Sequence, residues 1–318
     1  MELEENIDKI SDEFLSSIKD LPPWVELYKF NHWSPSSLNQ NDDIWSYKYL
    51  YLTQEQRRKL PINSKMFTGV CLGEMAQLVF GNYLWHHKIG KGLVKTEIPP
   101  QRKVFDKILD KFNFYEPVDN ADQAQHNVNR QGLAKSFQTL KTGLKEINLT
   151  PPIECERSVA LNLDGCILPT IGRIDLEDDN NIVEIKTKHR KKNRPRKDGT
   201  SNYSLPKIEE NYLGFDEHLA QVAFYYFSCN EKKKPNLFVM NEEQYNIFTP
   251  ENCEAMKPEN LKKHLNKLTM VAKRRERVMA NHAGKTTWHQ DIAPDFNHFF
   301  WKGLGEHKDI AMKLWGLA

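Results

Sequence analysis

A charged hairpin in the middle of the chain constrains the fold more than any other stretch. Residues 172–197 read GRIDLEDDNNIVEIKTKHRKKNRPRK: two short runs of alternating apolar residues, a polar turn between them, and then a run of positive charge. Strands disfavour Asp and, to a lesser degree, Glu and Lys, because these side chains pack poorly on a half-buried pleated surface. The charges therefore indicate either a solvated hairpin or a site of chemistry.

A turn at Asp179 and Asn180 sets the register of this hairpin and places Asp175 opposite Glu184. Opposed Cβ atoms lie roughly 4.5–5.5 Å apart, and like charges so placed destabilise the pair. Glu184 and Lys186 are two residues apart and share a face, while the residue between them points into the core. A positive group is therefore expected between the two carboxylates.

The preceding hairpin is predicted to turn at Asp164-Gly165, a strong two-residue turn signal. The polar face of the three strands would then be mostly charged: Glu154 opposite Asp175, Glu156 opposite Arg173, and Glu184 beside Lys186. Hard oxygen ligands at this density suit Mg²⁺, which proteins hold through one or two carboxylates plus waters and phosphate oxygens. A nearby lysine can orient attacking water and offset charge on phosphorus. The alternative interpretation is a solvated face with cross-strand ion pairs.

The rest of the chain predicts a mixed α/β fold in a single domain. Apolar spacing predicts helices over residues 3–20, 67–83, 103–115, 132–147, 213–229 and 258–281. Short β-branched runs predict strands in IECERSVALNL, CILPTIGRIDL, NIVEIKT, NLFVM and YNIF. We divide the domain into a helical N-terminal part (1–66), a core (67–250) and a helical, basic C-terminal part (251–318).

Charge and hydropathy narrow the class of protein. The net charge of the 318 residues is only +2, but acidic residues crowd the first twenty positions and Lys and Arg cluster at 188–197 and 257–277, as on a basic working surface. The N-terminus lacks the basic and apolar regions of a signal peptide, and the longest apolar stretch is too short to span a bilayer. We expect a soluble, intracellular protein of bacterial or phage-infected cytoplasm that does not contact membrane.

The five cysteines are scattered without CxxC spacing, which argues against both a zinc site and a disulfide framework. They are expected to be reduced packing residues.

The order of motifs resembles the PD-(D/E)xK nuclease superfamily. Gly-x-x-Asp ahead of a turn is followed by Glu-x-Lys, and EIKTK is typical of the RecB-like and phage-type exonuclease branch. That branch adds Gln-x-x-x-Tyr on the next helix, which HLAQVAFYYF supplies as Gln221 and Tyr225. Upstream, WSPSSLNQ is similar to the opening of these domains and TGVCLGEMAQLVF to their first helix. The resemblance covers residues 34–250 and implies a restriction-endonuclease-like core, an α/β sandwich with a mixed sheet of about four to five strands flanked by helices, with helical additions at both ends.

The resemblance also implies a role for each matched residue. Asp175 and Glu184 would bind Mg²⁺ or Mn²⁺ with the backbone carbonyl of Ile185, and Lys186 would handle the attacking water. The helix residues Gln221 and Tyr225 would hydrogen-bond phosphate or steady the lysine.

Two features depart from the pattern. RecB-type proteins carry a histidine four residues after the motif glycine, where this chain has Gly73; the following residue, Glu74, is the candidate for a catalytic and metal-side role, against the alternative of a solvated helix residue. The cysteine groups of the iron–sulfur sub-branch are not matched, so no iron–sulfur cluster is expected.

Nucleic-acid contacts are predicted at the basic run, where residues 187–197 hold seven Lys or Arg among eleven. A run this charged and interrupted by proline is either a solvated loop, a localisation-like patch or a track for a phosphate backbone. The predicted contact residues are Lys188, Arg190, Lys191, Lys192, Arg194, Arg196 and Lys197, with Ser34 and Ser36 of the opening motif.

Aromatic residues near the N-terminus allow two interpretations. Trp33, Trp45 and the alternation Tyr47, Tyr49, Tyr51 either stack unpaired bases or form an aromatic core.

These motifs together predict a metal-dependent DNA exonuclease that takes part in DNA degradation, recombination or repair. Its expected substrate is DNA that has free ends or is single-stranded. Its expected protein partner is a recombination or replication protein. A structure-selective or restriction-type endonuclease is the first alternative, and a catalytically silent DNA-binding module is the second.

Overall fold

The structure is a computed structural model that describes residues 2–81, 85–89, 92–96, 101–194, 202–211, 216–283, 285, 287–302 and 304–318. Among these residues, no helix combines the length and the apolar character needed to cross a membrane. All five cysteines are free thiols, as predicted.

The helices lie before, between and after the strands of a central sheet. In chain order they are α1 Glu2–Ser16, α2 Pro23–Tyr28, α3 Pro35–Leu38, α4 Asp42–Ser46, α5 Gln54–Arg58, α6 Ser64–Phe80, α7 Gln101–Asn113, α8 Asn120–Glu146, α9 Asp216–Ser228, α10 Pro258–Asn281, α11 Phe299–Lys302 and α12 Glu306–Leu314. A π-helical turn covers Tyr47–Tyr51, and 3₁₀ turns cover Glu254–Met256 and Trp288–Asp291.

Two helix predictions differ from the structure by four residues or more. The first helix ends at Ser16 instead of residue 20, ahead of the consecutive prolines Pro22 and Pro23, the first of which disfavours helical backbone just before it. Helix α8 begins twelve residues earlier than predicted, capped by the Asp119 carboxylate, which accepts the Asp122 amide at 2.7 Å. Its first half is polar, so the apolar spacing fails there, yet Gln125 is buried and hydrogen-bonded.

The strands form one central sheet and two short hairpins. In chain order they are β1 Trp85–Ile89, β2 Gly92–Thr96, β3 Glu154–Leu161, β4 Thr170–Glu177, β5 Asn181–Thr187, β6 Lys191–Lys192, β7 Tyr203–Ser204, β8 Lys234–Met240 and β9 Tyr245–Phe248. The hairpins, β1 with β2 and β6 with β7, were not predicted.

The central sheet is mixed and five-stranded, in the order β3-β4-β5-β8-β9. Strands β5 and β8 are parallel and the other pairs are antiparallel. The predicted three-strand meander and mixed sheet are therefore confirmed.

The register of the β4–β5 hairpin is the predicted one. Leu176 pairs with Val183 and Glu177 with Ile182. Regular pairing ends at Leu176 and Val183, so the strands part immediately before Asp175.

The register of the β3–β4 hairpin is not the predicted one. The strands are joined by residues 162–169. The predicted turn at Asp164-Gly165 forms within this loop, but the residues beside it do not pair, because Leu163 and Leu168 are buried in the core. Glu154 therefore lies opposite Glu177, two positions from the predicted Asp175. Strand β3 is also interrupted at Glu156, whose φ of 53° lies in the left-handed region.

Helices cover both faces of the sheet. Helices α9 and α10 contribute to one apolar cluster with Ile174 and Ile182, and helices α6, α7 and α8 contribute to another with Leu176 and Val183. The strands that carry the charged residues are thus held between two helical layers.

Three of the five aromatic residues considered near the N-terminus belong to the core, whereas Tyr49 is half-buried and Tyr51 is 46% exposed. Trp33, Trp45 and Tyr47 are fully buried, which excludes them from base stacking and supports the alternative interpretation. Tyr47 packs edge-on against Trp301 of the C-terminal part, with ring centroids 5.4 Å apart. The N- and C-terminal parts are therefore packed together.

Candidate active site

The centre of the site is the fork where β4 and β5 separate. Instead of continuing the backbone ladder, the Asp175 side chain fills the gap: its Oδ2 accepts the amide N–H of Ile185 at 2.7 Å. The N–H and C=O groups of a strand residue point to the same side, so the carbonyl of Ile185 also faces the fork. One carboxylate and one backbone carbonyl thus meet there.

Glu184 and Lys186 lie beside Asp175 on the α9 side of β5. Lys186 Nζ is 2.5 Å from Glu184 Oε1, and the glutamate side chain is only 5% exposed. The other oxygen, Oε2, is buried without a hydrogen-bond partner among the described residues. It is one of nine such buried side-chain atoms among the described residues and the one carboxylate oxygen among them, so it is free to bind a cation or to accept a hydrogen bond from water.

Electrostatic interactions connect the three residues. Burial, followed by the neighbouring Glu184 carboxylate, raises the pKa of Asp175 well above its ordinary value. Burial alone would lower the pKa of Lys186, but the two carboxylates outweigh it and the net shift is upward. A cation bound between the carboxylates would favour their charged forms, as Lys186 already does for Asp175.

Glu156 is a third carboxylate of this cluster, for which the sequence indicated only an ion pair with Arg173. That ion pair is present at 3.4 Å, and Gln77 Nε2 of α6 also donates to Glu156 Oε1 at 2.9 Å. Burial raises the pKa of Glu156; Arg173 lowers it, and Glu184 raises it further. The left-handed backbone that brings Glu156 here leaves no signal in the sequence.

Tyr225 and Gln221 lie on the helix predicted for them. Tyr225 is buried, and its pKa is raised well above the ordinary value by burial and then by Glu184 and Asp175, which places its hydroxyl near the carboxylates. The close approach of α9 requires Gly172, since a Cβ there would lie 2.9 Å from Tyr225 Cε1. Gln221 is half-buried one helical turn earlier.

His218, one turn before Gln221, is close to two lysines. Burial and the charges of Lys186 and Lys188 lower its pKa to about 4, so it is neutral at pH 7.

Glu74 lies on α6, as predicted, but it pairs with the neighbouring helix α7. Its carboxylate is 2.6 Å from Lys111 Nζ and 3.4 Å from Lys107 Nζ. These pairs would have to break before Glu74 could bind a metal, so its metal-side role stays a prediction.

The donor set fits a divalent metal of the magnesium type. Among the described residues, no group of three or more His, Cys, Asp or Glu side chains forms a ready-made metal site. Mg²⁺ does not need such a group, since it is commonly held by one or two carboxylates with waters and phosphate oxygens. Asp175, Glu184 with its unsatisfied oxygen, and the Ile185 carbonyl supply that set.

The basic run leaves the sheet directly after the site. Lys188 is half-buried, and Lys191, Lys192 and Arg194 are exposed. Arg190 instead donates through Nε to Glu242 Oε1 at 2.9 Å. The predicted contacts Arg196 and Lys197 lie outside the described residues.

Ser34 and Ser36 begin helix α3. The Ser34 hydroxyl accepts the Ser37 amide at 3.1 Å as an N-cap, and it lies 3.2 Å from the Ser36 hydroxyl. This gives Ser34 a structural role and leaves Ser36 exposed.

Comparisons with known proteins do not assign the chain to a family. No family model matches it, and no curated protein is found to be similar. Among solved structures, the crystal structure of SSO0001 aligns with 14% sequence identity and a TM-score of 0.27, covering 61% of this chain and 95% of that one. A likeness at this level indicates nothing about function, which leaves the geometry of the site itself.

Proposed function

We propose that the protein is a divalent-metal-dependent deoxyribonuclease with a restriction-endonuclease-like PD-(D/E)xK core. The observation that carries this proposal is the fork of β4 and β5, where Asp175, Glu184 and Lys186 meet and one buried carboxylate oxygen has no partner among the described residues. Among the buried side-chain atoms of the described residues that have no hydrogen-bond partner, Glu184 Oε2 is the one carboxylate oxygen.

Asp175, Glu184 and the Ile185 carbonyl would hold Mg²⁺ or Mn²⁺. When bound, such a cation supplies a water of lowered pKa and offsets negative charge on phosphate. Lys186 is raised in pKa and stays protonated at neutral pH, so it acts as a donor that orients the attacking water or the phosphate. Tyr225 also keeps its proton and can donate to a phosphate oxygen.

The nucleic acid would approach along the basic run. Lys188, Lys191, Lys192 and Arg194 follow β5 directly, so phosphates bound there would lie next to the fork. Such binding depends on released counterions and weakens steeply with salt. An exonuclease of DNA degradation, recombination or repair is the favoured activity, by resemblance to stand-alone domains of this kind.

The test compares two matched lysines. End-labelled single- and double-stranded DNA is incubated with Mg²⁺, Mn²⁺ or EDTA and with wild type, Lys186→Met or Lys233→Met. Lys233 is the control because its side chain is equally exposed, 21% against 22%, and it lies 3.0 Å from Glu177, a glutamate as buried as Glu184. We expect degradation with metal only, abolished in Lys186→Met and retained in Lys233→Met.

Equal loss of activity in both lysine variants would attribute the effect to folding and contradict the proposed role. No cleavage by wild type with either metal would leave a DNA-binding module. Closed circular DNA separates the remaining alternatives, because an exonuclease leaves it intact and an endonuclease cuts it.

A further inference from the structure

Helix α6 contains a glycine that no neighbour in the structure requires. The buried glycines of α8 and β4 are explained by packing: a Cβ would collide with Glu242 at Gly132, with Phe238 at Gly143 and with Tyr225 at Gly172. A Cβ on Gly73 would meet nothing within 4 Å. Glycine inside a helix is destabilising relative to alanine, and close approach of a ligand to the backbone is one reason for keeping it.

The open space beside Gly73 lies against the fork. Residues 69, 73 and 77 are spaced by four and share one face of α6. Four residues before Gly73, a Cβ on Gly69 would lie 3.4 Å from Thr187 Oγ1 of β5, and four residues after it, Gln77 donates to Glu156. We call the space between these two contacts the α6 recess.

The size of the α6 recess limits what can enter it. Gly69 and Gln77 are eight residues apart, which is about 12 Å along a helix at 1.5 Å per residue. A DNA duplex is thicker than this, since its major and minor grooves alone are about 8.5 and 7.5 Å deep, whereas one nucleotide fits.

The rim of the α6 recess is positively charged at its Gly69 end. Lys65, one turn before Gly69, is half-buried, and its pKa is lowered by burial and by the charge of Lys191. Lys65 in turn contributes to the low pKa of His189, which places it close to the end of β5. Within the described part of the chain, Lys65, Lys188 and Lys191 form no ion pair with an acidic side chain. Their charge is therefore available to an anion.

We infer that the α6 recess holds one unpaired nucleotide of the strand being cut, with an adjacent phosphate bound by Lys65 and Lys191. The inference rests on the proposed nuclease function for the identity of the fork, and it specifies a substrate class: DNA that is single-stranded or frayed at the position of cleavage. Paired DNA would first have to open, which unpaired DNA avoids.

Binding in EDTA tests this inference without catalysis. Fluorescence anisotropy is measured for a labelled single strand and for a blunt hairpin duplex of equal charge, with wild type, Gly73→Leu, Gly73→Ala and Met270→Leu. Met270 is the control because it lies on helix α10, outside the recess, and is 71% exposed. We expect Gly73→Leu to weaken single-strand binding by roughly tenfold, the order expected when one base is excluded from its site, while Met270→Leu leaves it unchanged.

Lys65→Ala tests the rim. For this variant, the slope of log K for single-stranded DNA against log salt concentration should be shallower than for wild type. The slope should change by about 0.7 for each phosphate that is no longer neutralised. Gly73→Ala, which helix propensity favours, keeps the test valid if Gly73→Leu unfolds, because it should weaken binding while raising thermal stability.

The outcomes separate this inference from the proposed function. Unchanged single-strand binding in folded Gly73→Leu and Gly73→Ala overturns the inference even if wild type is a nuclease. Equal binding of the blunt duplex with equal sensitivity to Gly73 overturns the choice of substrate. If wild type cuts no DNA but binds single strands, and the Gly73 variants abolish that binding, the nuclease proposal is wrong and the inference about the α6 recess is supported.

Discussion

Gln77 of α6 and Glu156 of β3, 79 residues apart in the chain, are joined by a hydrogen bond of 2.9 Å. The bond ties the helix to the interrupted strand at one end of the α6 recess. It also fixes the side chain of Glu156. The left-handed backbone conformation of this residue places its carboxylate beside Asp175 and Glu184.

We expect the Gln77–Glu156 contact to be measurable as a coupling energy. In a cycle of Gln77→Ala, Glu156→Ala and the double variant, urea unfolding should give a coupling of about 1–2 kcal/mol, since the acceptor is charged and partly buried. Gln123→Ala on the exposed side of α8, paired with Asn127→Ala, is the control cycle and should couple by less. Additive effects of Gln77 and Glu156 would mean that the bond contributes nothing to stability.

Binding of a divalent cation should stabilise the fold. With Mn²⁺ at a hundred times its Kd, the free energy of unfolding should rise by about 2.7 kcal/mol. Glu184→Gln should abolish this increase, and Glu177→Gln should retain it although it breaks the pairs with Arg157 and Lys233. Thermal unfolding with Mn²⁺ and with EDTA measures the stabilisation of each variant by the metal. If Mn²⁺ stabilises Glu184→Gln as much as wild type, the metal binds elsewhere.

The raised pKa of Asp175 predicts a pH dependence of stability without metal. The folded protein holds a proton on Asp175 at pH values where the unfolded chain, with its ordinary pKa of 3.8, has released it. Wild type should therefore become less stable as pH rises above 4, by up to about 1.4 kcal/mol per pH unit from this group. Asp175→Asn lacks this contribution, so in EDTA its free energy of unfolding relative to that of wild type should increase with pH. If the two curves of unfolding free energy against pH are parallel, the pKa of Asp175 is not raised.

Gly172 should be needed for the position of Tyr225. A Cβ at Gly172 would lie 2.8 Å from Phe224 Cε1 and 2.9 Å from Tyr225 Cε1, so Gly172→Ala must push α9 outward. Such overpacking costs about 1–3 kcal/mol. For Gly172→Ala, both the free energy of unfolding measured in urea and the rate of DNA cleavage should fall. The control Gly69→Ala, whose added Cβ would make an ordinary 3.4 Å contact, should be at least as stable as wild type. If Gly172→Ala keeps full activity, Tyr225 has no positional role in cleavage.

Glu276 should be among the most important buried charges for stability. Its carboxylate accepts the indole N–H of Trp33 at 3.0 Å and the amides of Ile167 and Leu168 at 2.9 Å each. Glu276→Ala leaves these donors without an acceptor and should destabilise the protein by about 3 kcal/mol in urea unfolding. Glu259→Ala, exposed on the same helix, should change stability by less than about 0.5 kcal/mol.

The central hairpin was predictable because two independent signals agree there. Alternation determines which residues of β5 face the core, and the polar turn sets the register that pairs Leu176 with Val183. Asp175, Glu184 and Lys186 could therefore be placed together from the sequence.

The first hairpin was not predictable from its turn signal. Gly165 does adopt a positive φ, of 64°, but it does so inside a longer loop whose leucines are buried. The two-residue turn itself forms, with the Cys166 amide donating to the Leu163 carbonyl at 3.0 Å, but burial of Leu163 and Leu168, together with the Glu276 carboxylate that caps the loop, keeps the residues beside the turn from pairing as strands. These are contacts across more than a hundred residues, which no local pattern reports.

The hydrogen bond from the Ile185 amide to the Asp175 carboxylate makes this amide sensitive to the state of the site. An amide in a central strand is ordinarily shielded from deuterium exchange by a backbone carbonyl, but this one is shielded by a carboxylate side chain. A change in the position or protonation of that carboxylate should change the exchange rate of this single amide, while its neighbours in β5, bonded to β8, keep theirs. Ile185 thus offers a built-in spectroscopic probe of the fork that needs neither a label nor a turnover.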